Sequence, residues 1–192
     1  MFKPLLALAA LASPAAAAPV QPAQPSQPGS PSRWTLEVAP TGCIVHASSP
    51  DGTVLSVWGG AGDETLRFLV QNKGWNSLAD GESYPIQVSF DGQRAWPMDA
   101  VAKLDLDSDG PGLTFAVSPD RQSGGAGFIE QFAGADGMNI ARNGERIETV
   151  SLDDTQMAMR ALAGCLNQMI ATGGQAAGDP VRLEISADAK AI

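Results

Sequence analysis

The most constraining feature of the sequence is a period of two in its hydrophobic residues, interrupted by short turn signals. From Trp34 onward apolar and polar side chains alternate, beginning with Trp34, Leu36 and Val38. Alternation of this kind places successive side chains on opposite faces of a half-buried strand. The sequence therefore predicts a mainly β domain, an antiparallel β-sandwich or barrel of about eight strands. The turn signals between the strands are Pro50-Asp51-Gly52, Asp80-Gly81, Asp91-Gly92 and Asn143-Gly144.

A different period marks one segment, residues 153–170, as a C-terminal amphipathic α-helix packed on the sheet. Its apolar side chains recur at helical spacing, and Cys165 lies near the middle of the apolar stripe. Ser151 and Asp154 resemble a capping box with Asp in the place of Glu. Residues 127–133 predict one or two further helical turns, and residues 181–185 a last strand. The stripe consists of Met157, Ala158, Ala161, Leu162, Cys165 and Met169.

The two cysteines are predicted to form a disulfide bond. Cys43 lies on an early strand and Cys165 on the buried face of the predicted helix. Two inward-facing thiols in an oxidising compartment usually pair. The alternative is a reactive Cys43 with His46 as its base. Residues three apart on a strand point to opposite faces, which disfavours that alternative.

The first residues have the pattern of a secretory signal peptide. Lys3 supplies a positive charge, residues 5–12 are apolar, and Ala15 and Ala17 fit the small-residue cleavage rule. We therefore expect residues 1–17 to be removed. A second apolar run of about 20 residues, as a bilayer span requires, is missing from the sequence. The mature chain is expected to be periplasmic or secreted, without a transmembrane anchor.

Residues 18–32 form a proline-rich segment. Prolines stand at positions 19, 22, 25, 28 and 31, so every third residue is a proline. Polyproline II has three residues per turn, which would align these rings along one edge of an extended rod. The segment is predicted to be a semi-rigid linker, and a docking ligand for a proline-binding partner is the alternative. Residues 33–186 are then a single β-rich domain, and residues 187–192 a loose tail.

Charge and motif content exclude several classes of function. The formal net charge is −9, which disfavours a nucleic-acid binder because such proteins need a basic surface. His46 is the one histidine of the chain. The sequence lacks the G-x-S-x-G elbow, the H-E-x-x-H zinc motif and the Walker phosphate loop. We therefore predict no catalytic site and no cofactor.

An acidic segment gives the one candidate for a metal site. Asp105, Asp107 and Asp109, followed by Gly110, match the first half of a calcium-binding loop. The match then ends, because the twelfth position is Ala116 where that loop has a Glu that binds with both oxygens. The sequence favours a solvated acidic turn, and Ca²⁺ binding is the alternative.

Two tryptophans are candidates for a binding platform. Trp75 and Trp96 lie next to turns, where an aromatic side chain can be exposed to a sugar or peptide. Core packing is the usual role of large aromatic residues on strands. A hydrolase that uses two carboxylates is a further alternative, because such an enzyme needs only a convergent pair of acidic residues.

The order of these features resembles a known group of proteins. The chain begins with an export signal, which is followed by a W-x-L-x-V strand at Trp34, an early Cys43 and several hairpins. After these come a strand, an S-L-D-D turn and a helix that carries Cys165. This is similar to small exported bacterial β-sandwich proteins, the invasion-associated locus B family and the accessory envelope proteins of type VI secretion. The resemblance implies a non-catalytic envelope or secreted domain that binds a protein or envelope component.

Overall fold

A computed structural model describes residues 34–104, 109–173 and, for the backbone, 181–184. The predicted signal peptide, the proline-rich segment and the tail lie outside these residues. The described chain contains ten strands and two helices. The strands are β1 (Trp34–Ala39), β2 (Gly42–Ser48), β3 (Val54–Gly60), β4 (Leu66–Gln71), β5 (Ser83–Phe90), β6 (Trp96–Lys103), β7 (Gly112–Val117), β8 (Gly137–Arg142), β9 (Glu145–Ser151) and β10 (Val181–Glu184).

All ten strands belong to one antiparallel sheet, in the order β10-β1-β2-β3-β4-β7-β6-β5-β8-β9. The mainly β, antiparallel fold predicted from the alternation is confirmed, with ten strands rather than about eight. Alternate side chains are buried on one face of most strands whose side chains are described, as in β5, where Tyr84, Ile86, Val88 and Phe90 are buried between exposed or half-buried neighbours. One face of the sheet therefore forms the core, and most side chains of the other face are exposed or half-buried.

The sheet is strongly curled around the first helix, α1 (Gly125–Gly134). The ring of Phe132 lies 6.4 Å from Trp34 on β1, 5.1 Å from Phe68 on β4 and 6.1 Å from Phe90 on β5. In a flat sheet β1 and β5 would be six strand spacings, or about 29 Å, apart. One ring can contact both strands only because the sheet wraps around it. The wrapping leaves two edges, β10 and β9, so the barrel is open.

The second helix, α2 (Thr155–Ala171), covers the same face over β1, β2 and β3. Its buried side chains include Ala158, Leu162 and Met169, which are 0%, 1% and 3% exposed. These three belong to the stripe predicted from the helical period. The C-terminal amphipathic helix and the shorter helix around residues 127–133 are both confirmed. Neither α1 nor α2 is long and apolar enough to cross a bilayer.

The predicted disulfide bond is present between Cys43 and Cys165. Cys43 on β2 is fully buried, and Cys165 is half-buried on α2. The sulfur of Met169 lies 3.4 Å from that of Cys43. We interpret this as a packing contact, because a sulfur in a disulfide has no proton to donate. The bond links the helix to an early strand across 122 residues of sequence.

The capping box predicted at the start of α2 is wrong. Asp154 has a φ of 63°, in the left-handed region, and its side chain makes no capping hydrogen bond. The hydroxyl of Ser151 instead donates to the carboxylate of Asp153 at 2.8 Å. The hydroxyl of Thr155 donates to the carbonyl of Leu152 at 2.6 Å, which holds the tight turn into the helix. The left-handed residue turns the chain too sharply for the capping-box geometry, which requires extended backbone at the cap.

Candidate binding surface

The sheet face opposite the helices contains a groove of about 450 Å³, which we call the outer groove. It lies across β1, β2, β3, β4 and β7, with its far end at the β6–β7 connection. Its floor is therefore built on paired strands rather than on loops. The lining residues are Glu37, Ile44, His46, Val54, Ser56, Trp58, Arg67, Leu69, Gln71, Lys103, Asp109 and Thr114.

The strand register aligns these side chains in rungs across the sheet. Residues paired in the antiparallel ladder lie side by side on the same face, with side chains close enough to interact. From β1 toward β6 the rungs are Glu37-Ile44-Trp58-Arg67, then His46-Ser56-Leu69-Thr114, then Val54-Gln71-Gly112-Lys103. The first rung is aromatic and charged, and the second has small and aliphatic residues at its centre. The outer groove thus combines an apolar floor with polar ends.

Trp58 is the aromatic residue of the outer groove. Its ring is half-buried, and the guanidinium carbon of Arg67 lies 5.1 Å from the ring centroid. A guanidinium over an indole face is attracted by the ring quadrupole. A Cβ atom at Gly42 would collide with the indole nitrogen of Trp58, so the missing side chain leaves room for the ring. The position of Trp58 is therefore set from both strands that flank it.

The third rung is closed off by the β6–β7 connection. The side-chain amide of Gln71 donates to the carbonyl of Gly110 at 3.2 Å, and Gln71 is only 3% exposed. A Cβ atom at Gly112 would lie 2.8 Å from Leu69 and 2.9 Å from Gln71, so glycine is needed where these side chains pass. This end of the outer groove is thus held by specific contacts.

The predicted opposition of Cys43 and His46 is confirmed. Cys43 lies in the core under α2, whereas His46 is half-buried and lines the outer groove. Its partner in the β2–β3 ladder is Ser56. Both cysteines are bonded to each other, so a thiol cannot act as a nucleophile next to this imidazole.

The acidic segment is only partly described. Asp105 and Asp107 lie outside the described residues, and Asp109 lines the outer groove. Ala116, at the twelfth position, lies on β7, so a strand follows the acidic segment and not a helix. Within the residues that the structure describes, no three His, Cys, Asp or Glu side chains are grouped as a metal site. Calcium binding stays a prediction.

Trp75 and Trp96 lie at opposite ends of β6. Trp96 begins that strand, packs 5.9 Å from Phe128, and donates from its indole nitrogen to Gln131 at 2.9 Å. Trp75 lies in the β4–β5 connection, half-buried against the core near the other end of the strand. The eight residues of β6 separate the two by roughly 23 Å. The structure therefore does not bring them into one platform, and a binding role for either stays a prediction.

Sequence reasoning did not select Trp58 or the outer groove. The rungs join residues of β1, β2, β3, β4, β6 and β7 that are far apart in the sequence. The signal that was available is the alternation itself, which places Ile44, Ser56, Trp58 and Leu69 on the face opposite the core. What was missing is the strand order, in particular the pairing of β4 with β7.

A smaller pocket of about 170 Å³ lies beside the start of α1, lined in part by Trp96, Ser118, Ser123 and Phe128. The neighbouring Asp120 accepts hydrogen bonds from the backbone N–H and hydroxyl of Ser123 and from the hydroxyl of Ser118. These hydrogen bonds, first among them that from the backbone N–H of Ser123, lower the pKa of Asp120 from 3.8 to about 2. Its carboxylate shapes the turn that leads into α1.

No protein-family model, curated protein or solved structure matches this chain. The resemblance to exported envelope proteins therefore stays a prediction.

Proposed function

We propose that this protein is an exported, non-enzymatic domain that binds a protein or cell-envelope partner through the outer groove. The observation that supports this most directly is the groove itself, on the sheet face that neither helix covers. Its volume lies within the range of known binding clefts. Because its side chains stand on paired strands, the surface is preformed and loses little conformational entropy when a partner binds.

The chemistry of the outer groove is that of an interface. Trp and Arg, here Trp58 and Arg67, are enriched among residues that dominate binding energy. Ile44 and Leu69 add an apolar centre. Lys103 places a positive charge at the far end of the groove, which would orient a partner rather than attract it by net charge.

The same geometry disfavours hydrolysis. A serine nucleophile needs oxyanion donors, usually backbone N–H groups, and those of β2 and β3 are used in the ladder that pairs His46 with Ser56. A hydrolase with two carboxylates needs them within about 10 Å. The two carboxylates that line the outer groove belong to separate elements, Glu37 to β1 and Asp109 to the β6–β7 connection, and β2, β3 and β4 lie between β1 and β7 in the sheet.

The disulfide bond between Cys43 and Cys165 is consistent with export. Stable disulfides form in secreted and periplasmic proteins, whereas the cytoplasm keeps thiols reduced. Together with the predicted signal peptide, this supports a periplasmic or secreted location for the domain.

The proposal is tested by site-specific photocrosslinking. A photoreactive amino acid replaces Ser56, in the centre of the outer groove, and the mature protein is mixed with cell-envelope material. The matched control carries it at Gln87, an exposed residue on the same sheet face that does not line the groove. We expect a discrete crosslinked partner from Ser56 only, and its loss when Arg67→Glu is added. Crosslinking that is absent, or equal at both sites, would refute the proposal.

A further inference from the structure

We propose that the proline-rich segment of this same chain, residues 19–31, docks across the outer groove as a polyproline II rod. The two features that suggest this are the uninterrupted three-residue proline period and the place where the segment joins the sheet. The proposal uses the groove described above, so an envelope partner would have to displace the docked segment, but docking of the segment does not depend on such a partner.

The spacing of the prolines fits the spacing of the strands. In polyproline II, three residues at about 3.1 Å each separate successive rings on one edge by about 9.3 Å. Two strand spacings across a sheet are about 9.6 Å. A rod that crosses the strands at right angles therefore places its prolines over every second strand. In the second rung, His46 on β2 and Leu69 on β4 are two strands apart, with the small side chain of Ser56 between them.

The segment is attached at the groove. The described chain enters β1 at Trp34, and the next residue, Thr35, pairs with His46 of the second rung. The thirteen residues from 19 to 31 span about 40 Å as polyproline II. The outer groove measures about 19 Å across the strands and about 13 Å along them from Val54 to Trp58. The segment is thus long enough to cover the groove without strain.

Because the proline-rich segment is covalently attached to β1, weak contacts are sufficient to hold it on the outer groove. A short tether gives an effective concentration in the millimolar range, so even a millimolar affinity would populate the docked state. Residues 19–31 contain no charged group, so binding them requires no pairing or desolvation of an ion within the rod. Polyproline II also leaves its backbone carbonyls unbonded, and Arg67 and Lys103 provide donors at two corners of the groove.

Trp58 and Leu69 supply the apolar contacts. Proline segments bind to aromatic-lined grooves because the rod is preformed and little entropy is lost. Ser56 is two residues from Trp58 on β3 and is paired with Leu69 in the second rung, so its small side chain leaves room for a proline ring next to both.

The experiment uses the purified mature chain from Ala18, without any envelope material. Because both native cysteines are bonded to each other, Gln24→Cys provides a single thiol for a nitroxide spin label. We expect the label to broaden the NMR signals of Trp58, Ser56 and Leu69 but not those of Gln87. The indole N–H signals of Trp34, Trp75 and Trp96 serve as internal controls for that of Trp58, since these three residues do not line the groove.

The matched control breaks the period and keeps the composition, by exchanging Pro25 with Ser26 and Pro28 with Gly29. If the rod docks, this variant loses most of the broadening at Trp58. Equal broadening in both chains, or broadening confined to residues next to Trp34, would overturn the proposal. Failure here leaves the photocrosslinking result unaffected, so the two proposals can fail separately.

Discussion

Removing the bond between Cys43 and Cys165 should cost most of a small domain's stability. The bond closes a loop of 122 residues. The chain-entropy relation gives a stabilisation of about 5 kcal/mol for a loop of this length, and measured values for native bonds are about 2–5 kcal/mol. For a domain of about 150 residues, each kcal/mol corresponds to about 2–4 °C in Tm. We therefore expect the double variant Cys43→Ala/Cys165→Ala to melt about 4–20 °C lower.

The measurement is guanidinium denaturation together with calorimetry, on the double variant and on reduced wild-type protein. Both lack the cross-link, so their difference reports the packing change at the two truncated side chains, Cys43, which lies against Met169, and Cys165. The denaturant m-value should rise in both, because an unlinked chain exposes more surface when unfolded. A loss below about 1 kcal/mol with an unchanged m-value would refute the reasoning, since α2 would then be held by packing alone.

Three further predictions concern single residues. Gly164→Ala, in the middle of α2 with no atom within 4 Å of the new Cβ, should stabilise the protein by about 1 kcal/mol in guanidinium denaturation. Gly125→Ala should destabilise it by about 1–3 kcal/mol, because the Cβ would collide with the carbonyl of Ser118. Its matched control Gly127→Ala, with Trp96 at an ordinary 3.5 Å, should be neutral or stabilising, and equal effects would contradict the packing. Asp120 should titrate by NMR near pH 2. Because its pKa is lowered on folding, its contribution is complete above about pH 4 and is lost as the pH falls through 2; a titration near 3.8 would contradict the hydrogen bonds.

Much of the fold could be predicted because the relevant forces act along the sequence. Leu36 and Val45, for example, are apolar positions of an alternating pattern, which arises because one face of each strand is buried. The stripe that contains Leu162 is set in the same way by the helical period. The pairing of Cys43 with Cys165 followed because both patterns place the sulfur toward one core.

What could not be predicted depends on contacts between distant segments. The left-handed conformation of Asp154 reflects the tight turn from β9 into α2 and has no local signal stronger than the capping pattern. The curl of the sheet depends on Phe132 of α1, whose ring contacts residues of three strands that are far apart in the sequence. Prediction of the outer groove requires the order of the strands in the sheet, which the turn signals alone do not determine.

All seven strands from residue 34 to residue 117 precede both helices in the chain. As long as synthesis or export has not delivered residues 125–171, the sheet face with Leu55, Phe68 and Phe115 has no cover. Such a partial chain exposes a large hydrophobic surface on an incomplete β-sheet, and surfaces of this kind promote self-association. The order in which the elements leave the ribosome thus makes this protein dependent on its last third, and fragments that stop before Gly125 should be found in aggregates.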